Sequence, residues 1–190
     1  MPASTHFGTR LARACIRRAA TTTTHQAIAF DAIGRLAAPR AEAWERLILR
    51  HGALFALGAA APDSEFRDFK NHMVLPRDGY WGGAIARAQS WHLNLTTALA
   101  KAEWDNVAYC AGVLSHYVVD ALHPFHTGQS EAENDIHYAL DATVWSMYPT
   151  LAKEAAALPQ RTAVALPHGP AFLAVALGSG ASKANASYEK

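Results

Sequence analysis

Apolar residues recur along this chain at three- and four-residue intervals, the period of one face of an α-helix, and strand-type alternation is scarce. Thr23 followed three residues later by Gln26 has the form of a capping box. Behind it His25, Ile28, Ala29, Ala32, Ile33 and Leu36 share a stripe that Pro39 ends. A second helix is expected over 41–58, with Trp44, Leu47, Ile48, His51, Leu54 and Phe55 on its apolar face. Ile85, Ala88, His92, Leu95 and Leu99 mark a third. The segment from about 103 to 122 carries stripes on opposite sides, Val107, Ala111, Leu114 and Val118 on one and Tyr109, Val113, His116 and Asp120 on the other. A helix apolar on two sides is central and largely buried. A last strong helix is expected over about 131–148, where His137, Asp141, Val144 and Tyr148 fall on one line, and the strand candidate is RTAVAL at 161–166. The pattern predicts an all-α, single-domain helical bundle.

Length agrees with one domain: 190 residues at 51% hydrophobic content suffice for one well-buried core and are short for two. The helical domain is read over 25–177, between a basic segment at 1–24 and a small, polar tail at 178–190 that is expected to be disordered. The basic segment holds Arg10, Arg13, Arg17 and Arg18 and no acid. Its arginines interrupt any stretch long enough for a secretory signal, which leaves a first helix of the fold, an amphipathic basic helix or an organelle-type leader. With no clear signal peptide, and no run near the roughly 18–20 apolar residues of a membrane span, a soluble and cytoplasmic protein is the favoured expectation. A net charge of +1, from 17 basic and 16 acidic residues, lacks the footprint of a protein bound to nucleic acid or anionic membrane, so no stable nucleic-acid complex is expected. Cys15 and Cys110 cannot make a disulfide framework or a thiolate cluster, so any zinc site must use nitrogen and oxygen ligands. Oligomeric state is not encoded in these features.

The chemistry concentrates in SHYVVDALHPFHTG at 115–128 and IHYALDATVW at 136–145. His116 and Asp120 are four apart, His126 follows a short bend, and His137 and Asp141 are again four apart. Residues at i and i+4 lie on the same helix face, so each pair can aim two ligands at one point. Five residues of metal-ligating type from two helices and a turn are the layout of a metal site, and of more than one metal. Burying an unpaired carboxylate on the central helix would cost several kcal/mol without a cation or hydrogen bonds to compensate. Upstream, His25, Asp63 in AAAPDSEF and His72 in FKNHMVLP bring the set to eight, enough for two or three metals sharing a carboxylate. Single histidines such as His51 and His92 are expected to be core residues with one hydrogen bond. His123 and His168 are expected in a turn and a loop.

These residues, in this order, resemble the zinc-dependent phospholipase C and S1/P1 nuclease superfamily, an all-α group with a trinuclear zinc cluster. HYVVDALHPFH matches the family's diagnostic motif at His116, Asp120 and His126, and IHYALD supplies His137 and Asp141. THQAIAFDAIGRL, WERLILRHGALFALGAAAPDSEF and NHM are similar to the amino-terminal part of the animal glycosylphosphatidylinositol-specific phospholipase D and of bacterial phospholipase C relatives. The resemblance covers about 22–146. It implies one Zn2+ held by Asp63, His72, His116 and Asp120, a second by His126, His137 and Asp141, and a third by His25 with Asp120 bridging. In the family the third zinc also takes the free amino group and carbonyl of a mature amino-terminal tryptophan. This chain departs from that: no Trp lies near His25, and a matching terminus requires cleavage near Ala19 or Ala20. His6, five residues after Met1, is the alternative that needs no processing.

The resemblance implies hydrolysis of a phosphoric ester by metal-bound hydroxide, with Asp63 orienting the water or accepting its proton. The upstream match favours a phospholipid-type phosphodiester as substrate. A single-strand nuclease or 3′-nucleotidase, and a metal-binding relative recruited to a non-hydrolytic role, are the alternatives. Tyr80 and Trp81 in RDGYWGG could line a head-group pocket, form a base-stacking platform, or simply pack on the bundle.

Overall fold

The computed structural model describes residues 3–158 and 169–188. It is all-α: the described residues form α1 (Ala3–Ala20), α2 (Thr24–Ile33), α3 (Ala41–Arg50), α4 (Gly52–Ala61), α5 (Ala84–Ala100), α6 (Trp104–Ala121), α7 (Glu131–Ala157) and α8 (Pro170–Tyr188). Between them lie a single π turn at Pro62–Phe66 and 3-10 turns at Phe69–His72, Pro76–Asp78 and Pro124–His126. Among the described residues no strand forms, apart from one isolated bridge between Leu75 and Trp81. The strand candidate at 161–166, and His168, lie outside the described residues. No described helix is long and apolar enough to cross a membrane. The chain's contacts gather into two compact units, Met1–Arg67 with Trp91–His116, and Asp68–Ser90 with Tyr117–Lys190. Two of the three boundaries fall inside α5 and α6, so no linker composition marks those two in the sequence.

The first unit is built on α2 and α4. The expected capping box is present: Gln26 N–H donates to Thr23 Oγ1 at 3.3 Å, and the Gln26 Oε1 accepts from the Thr23 N–H at 3.1 Å. The same side chain donates its Nε2 to the Ala56 carbonyl of α4 at 3.0 Å, so one residue both starts α2 and pins its neighbour. Phe30 and Phe55 meet edge to face at 5.1 Å inside this core, and both are buried. Burial of such a ring contributes about 1.5–3 kcal/mol. Ala32, within α2, and Leu36, past its end at Ile33, were expected on the buried stripe and are exposed. The helix expected over 41–58 is two: it breaks at His51, with φ −107° and ψ 28°, where the side chain of Ile16 on α1 crowds Gly52. Two glycines let α4 and α6 cross backbone to backbone. A Cβ on Gly58 would strike the Tyr109 carbonyl oxygen, and one on Gly112 the Phe55 carbonyl oxygen. The arginines of the basic segment tie α1 to this unit, Arg13 to Glu45 at 2.6 Å and Arg17 to Asp31 at 2.9 Å.

In the second unit, α8 corrects the expectation of a disordered tail from Gly178 onward: the helix runs to Tyr188. Its buried residues Leu173, Leu177, Ala181 and Asn185 repeat every four positions. Asn185 Nδ2 donates to the Thr127 carbonyl at 2.7 Å, beside the Pro124–His126 turn, and Tyr80 and Ser182 share a 3.0 Å hydroxyl contact. Small residues that read as loop composition are here the means of close packing, since a Cβ on Gly180 would meet the Leu122 side chain. α7 extends beyond the expected 131–148 and carries Pro149 in its interior.

Candidate metal centre

α6 carries the most buried polar pair described. His116 and Asp120 lie one turn apart, and both are 0% exposed. In the first unit, His116 Nδ1 lies 2.8 Å from the Ala59 carbonyl oxygen, which can only accept. The proton is therefore on Nδ1, and Nε2 is left as the acceptor of the ring. That nitrogen lies 3.5 Å from Asp63 Oδ1, a second acceptor, carried by the π turn that follows α4. Asp63 is half exposed, at 52% of its side chain. The ring of His25, from the first turn of α2, stacks on His116 at 3.8 Å between centroids and 18° between planes. The capping box at Thr23 thus sets the start of the helix that delivers His25.

The second unit groups Asp120, His72 and His126. His72 Nδ1 is 2.8 Å from Asp120 Oδ2, and His126 Nε2 is 3.6 Å from Asp120 Oδ1. The His72 turn and the His126 turn are tied by a backbone bond from Val74 N–H to the His126 carbonyl at 2.8 Å. The other nitrogen of His72, Nε2, lies 3.3 Å from Asp68 Oδ1. Sequence reasoning missed Asp68, although Asp68 and His72 repeat the four-residue spacing it relied on elsewhere. Asp68 also accepts from the Tyr117 hydroxyl at 3.1 Å and from Asn71 Nδ2 at 3.0 Å, and pairs with Arg87 at 3.2 Å. Burial first, and then the Asp68 carboxylate, hold the Tyr117 phenol well above its ordinary pKa, so it remains a donor.

Both units carry imidazole and carboxylate donors of the types that bind divalent metals. Ligand bonds of about 2.0–2.2 Å in a tetrahedron place neighbouring ligand atoms ~3.3 Å apart. The 3.5 and 3.6 Å separations are close to that edge and too long for hydrogen bonds. A nitrogen lone pair and a carboxylate oxygen at such a distance repel one another unless a proton or a metal cation lies between them. The donor set is imidazole and carboxylate without thiolate, since Cys110 is buried with its thiol pKa raised by burial and Cys15 is exposed. These His and Asp groups could therefore hold a divalent metal.

Asp141 is exposed on α7. The side chains of His137 and His6 lie outside the described residues. His51 contacts Asp105 at 2.6 Å, in keeping with a structural role, and His123 caps the Pro124–His126 turn by accepting from the Phe125 N–H. Trp81 lies under the Lys70 ammonium at 5.3 Å, and Tyr80 is held by Ser182. Near Asp63, Phe66 stacks on Trp91 with centroids 5.7 Å apart, and Trp91 meets Tyr109 edge-on. Burial, with Glu65 as the second cause, raises the Tyr109 phenol pKa. Compared with known proteins, the chain matches no family model, and no curated protein or solved structure shows significant similarity to it.

Proposed function

We propose that this chain is a zinc-dependent phosphoric ester hydrolase acting on a phospholipid-type phosphodiester. The observation that carries the reading is the pair of nitrogen-to-carboxylate separations, 3.5 Å at His116 and Asp63 and 3.6 Å at His126 and Asp120, each joining a fully buried α6 side chain to one on a turn. The candidate ligands are His25, Asp63 and His116 of the first unit and His72, Asp120 and His126 of the second. Bound there, zinc supplies a water acidified from a pKa of about 15.7 toward 7 and a Lewis acid for phosphoryl oxygens. Asp63, with half of its side chain open to solvent, accepts the proton of the attacking water, while the buried ligands keep their geometry. The Ala59 carbonyl holds His116 in the tautomer that leaves Nε2 for ligation. The phospholipid reading over the nuclease reading is supported by the resemblance of the upstream segments.

The test is metal analysis of the purified protein by plasma mass spectrometry, followed by hydrolysis assays with and without chelator. The substrates are p-nitrophenylphosphocholine, single-stranded DNA and 3′-nucleotides. Chelator-sensitive turnover of the first is expected. Turnover of the nucleic acids alone moves the assignment to a nuclease, and a metal-loaded protein without turnover moves it to a non-hydrolytic role. A protein that binds no transition metal overturns it.

A further inference from the structure

We propose that two aromatic and basic loops of the second unit dock this protein on a phospholipid surface, with Phe69, Tyr80 and Trp81 entering the lipid–water interface and the Lys70 ammonium meeting lipid phosphate. The choice of occupant rests on the phospholipid reading above; what is added is the place where that substrate is met, a bilayer surface rather than solution. Three large aromatic side chains are exposed here, Phe69 at 71%, Tyr80 at 48% and Trp81 at 46%. They belong to two short segments that the backbone locks side by side. Leu75 and Trp81 form the isolated bridge, with the Leu75 N–H donating to the Trp81 carbonyl at 2.7 Å, and the Gly83 N–H donates to the Lys70 carbonyl at 3.1 Å. The Lys70 ammonium sits over the Trp81 ring at 5.3 Å. Phe69 and Lys70 are thereby placed beside Tyr80 and Trp81.

The backbone holds this arrangement against its own preference. Tyr80 has φ 62°, directly after Gly79 at 63°, and a left-handed residue with a side chain persists only where its surroundings hold it. Its hydroxyl contact with Ser182 of α8 does so at 3.0 Å. Beside Tyr80 the apolar surface continues into an open cleft of about 330 Å3 lined also by Ile85, Ala174, Val175 and Gly178, and Val175 is itself 62% exposed. Contiguous exposed apolar surface with a polar rim marks a contact surface. Tyr and Trp suit a lipid interface because each apolar ring carries a polar tip, and a Lys ammonium settles at the depth of the phosphates. Charge sets the kind of membrane. The segment 69–83 carries Lys70 and Arg77 against one acid, Asp78, and the whole chain has a net charge of +1. One net cation favours an anionic leaflet only slightly, so the rings supply most of the attraction and a zwitterionic surface suffices. The His72 ring lies 6.3 Å from that of Phe69, so the docking residues adjoin the candidate metal donors of the same unit.

The test is sedimentation of the full chain with phosphatidylcholine vesicles, the lipid being verified as intact after each run. The wild type is expected to bind them, and replacing part of the lipid by phosphatidylserine should raise binding by less than about tenfold. Phe69→Ser combined with Trp81→Ser is expected to lower the partition coefficient by at least about tenfold, with helical circular dichroism unchanged, because two rings no longer leave water. Should that double variant fail to fold, Trp81→Phe decides the question: brominated phosphatidylcholine should quench tryptophan fluorescence in the wild type and much less in this variant. No binding by the wild type overturns the proposal, and so does full binding by a folded double variant or equal quenching in Trp81→Phe. Binding confined to anionic vesicles and abolished by salt also overturns it, and assigns the attraction to basic residues such as those of α1. A wild-type dimer in light scattering that the double variant dissociates would give the same rings to a second copy of the chain instead. Turnover of dissolved p-nitrophenylphosphocholine without vesicle binding sinks the docking surface and leaves the hydrolase reading standing, whereas vesicle binding by a protein without metal does the reverse.

Discussion

His116 and Asp120 on α6, and His137 and Asp141 on α7, share one spacing, yet Asp120 is fully buried and Asp141 is exposed. Spacing makes each pair co-facial, as any i, i+4 pair on a helix is. Burial comes from neighbours. Gly58 and Gly112 let α4 approach the backbone of α6, and the Ala59 carbonyl then meets His116 at 2.8 Å. α7 presents Ile136, Trp145 and Met147 to solvent as well as Asp141. A carboxylate in water keeps its hydration, and a cation must displace it. A carboxylate at zero exposure has already lost that hydration and gains most from a cation. The difference teaches that a ligand motif becomes a strong site through the side chains and carbonyls stacked behind it.

The comparison can be broken most directly at Asp120. Asp120→Asn is expected to lose more than about 100-fold in zinc affinity, above the 10–100-fold typical of outer partners, and to lose chelator-sensitive hydrolysis with it. Chelator competition and the p-nitrophenylphosphocholine assay measure both, and wild-type values would end the claim that the α6 pair dominates. Next in size is Gly112→Ala. A methyl group forced against the Phe55 carbonyl should destabilise the fold by about 1–3 kcal/mol, read from urea midpoints, and a neutral result would mean the α4–α6 crossing is looser than described.

A smaller effect concerns pH. Tyr117 on α6 has a folded pKa raised above the unfolded value of about 10, so its contribution to stability is complete below that pH and is lost as pH rises past it. Wild-type stability should therefore fall in alkali, and Tyr117→Phe should flatten that fall. An equally steep alkaline loss in the variant would place the titrating group elsewhere. Smallest of all, Asp141→Asn is expected to change zinc affinity by less than about tenfold and stability by no more than about 0.5 kcal/mol. Loss of a whole zinc equivalent in this variant would erase the contrast between the two helices.

Much of the local structure was legible in the residues. Thr23 and Gln26 announced the start of α2, the double stripe around Val113 announced a buried α6, and the co-facial His116 and Asp120 announced a ligand pair, because caps and periodicity act through neighbours three or four positions away. The break at His51 was hidden, since α3 and α4 continue the same apolar period across it. The Gly178–Tyr188 stretch was misread because small polar residues belong equally to loose tails and to close helix contacts.

The amino-acid order by itself determined an all-α chain with imidazoles and carboxylates set at helical intervals. Only the tertiary structure decided which of them are buried, which nitrogen of His116 carries its proton, and that Asp68 gathers Tyr117, Asn71 and Arg87 around it. The reason is physical: periodicity is a property of consecutive residues, whereas desolvation, tautomer and second partners depend on groups that only folding brings within 3–4 Å.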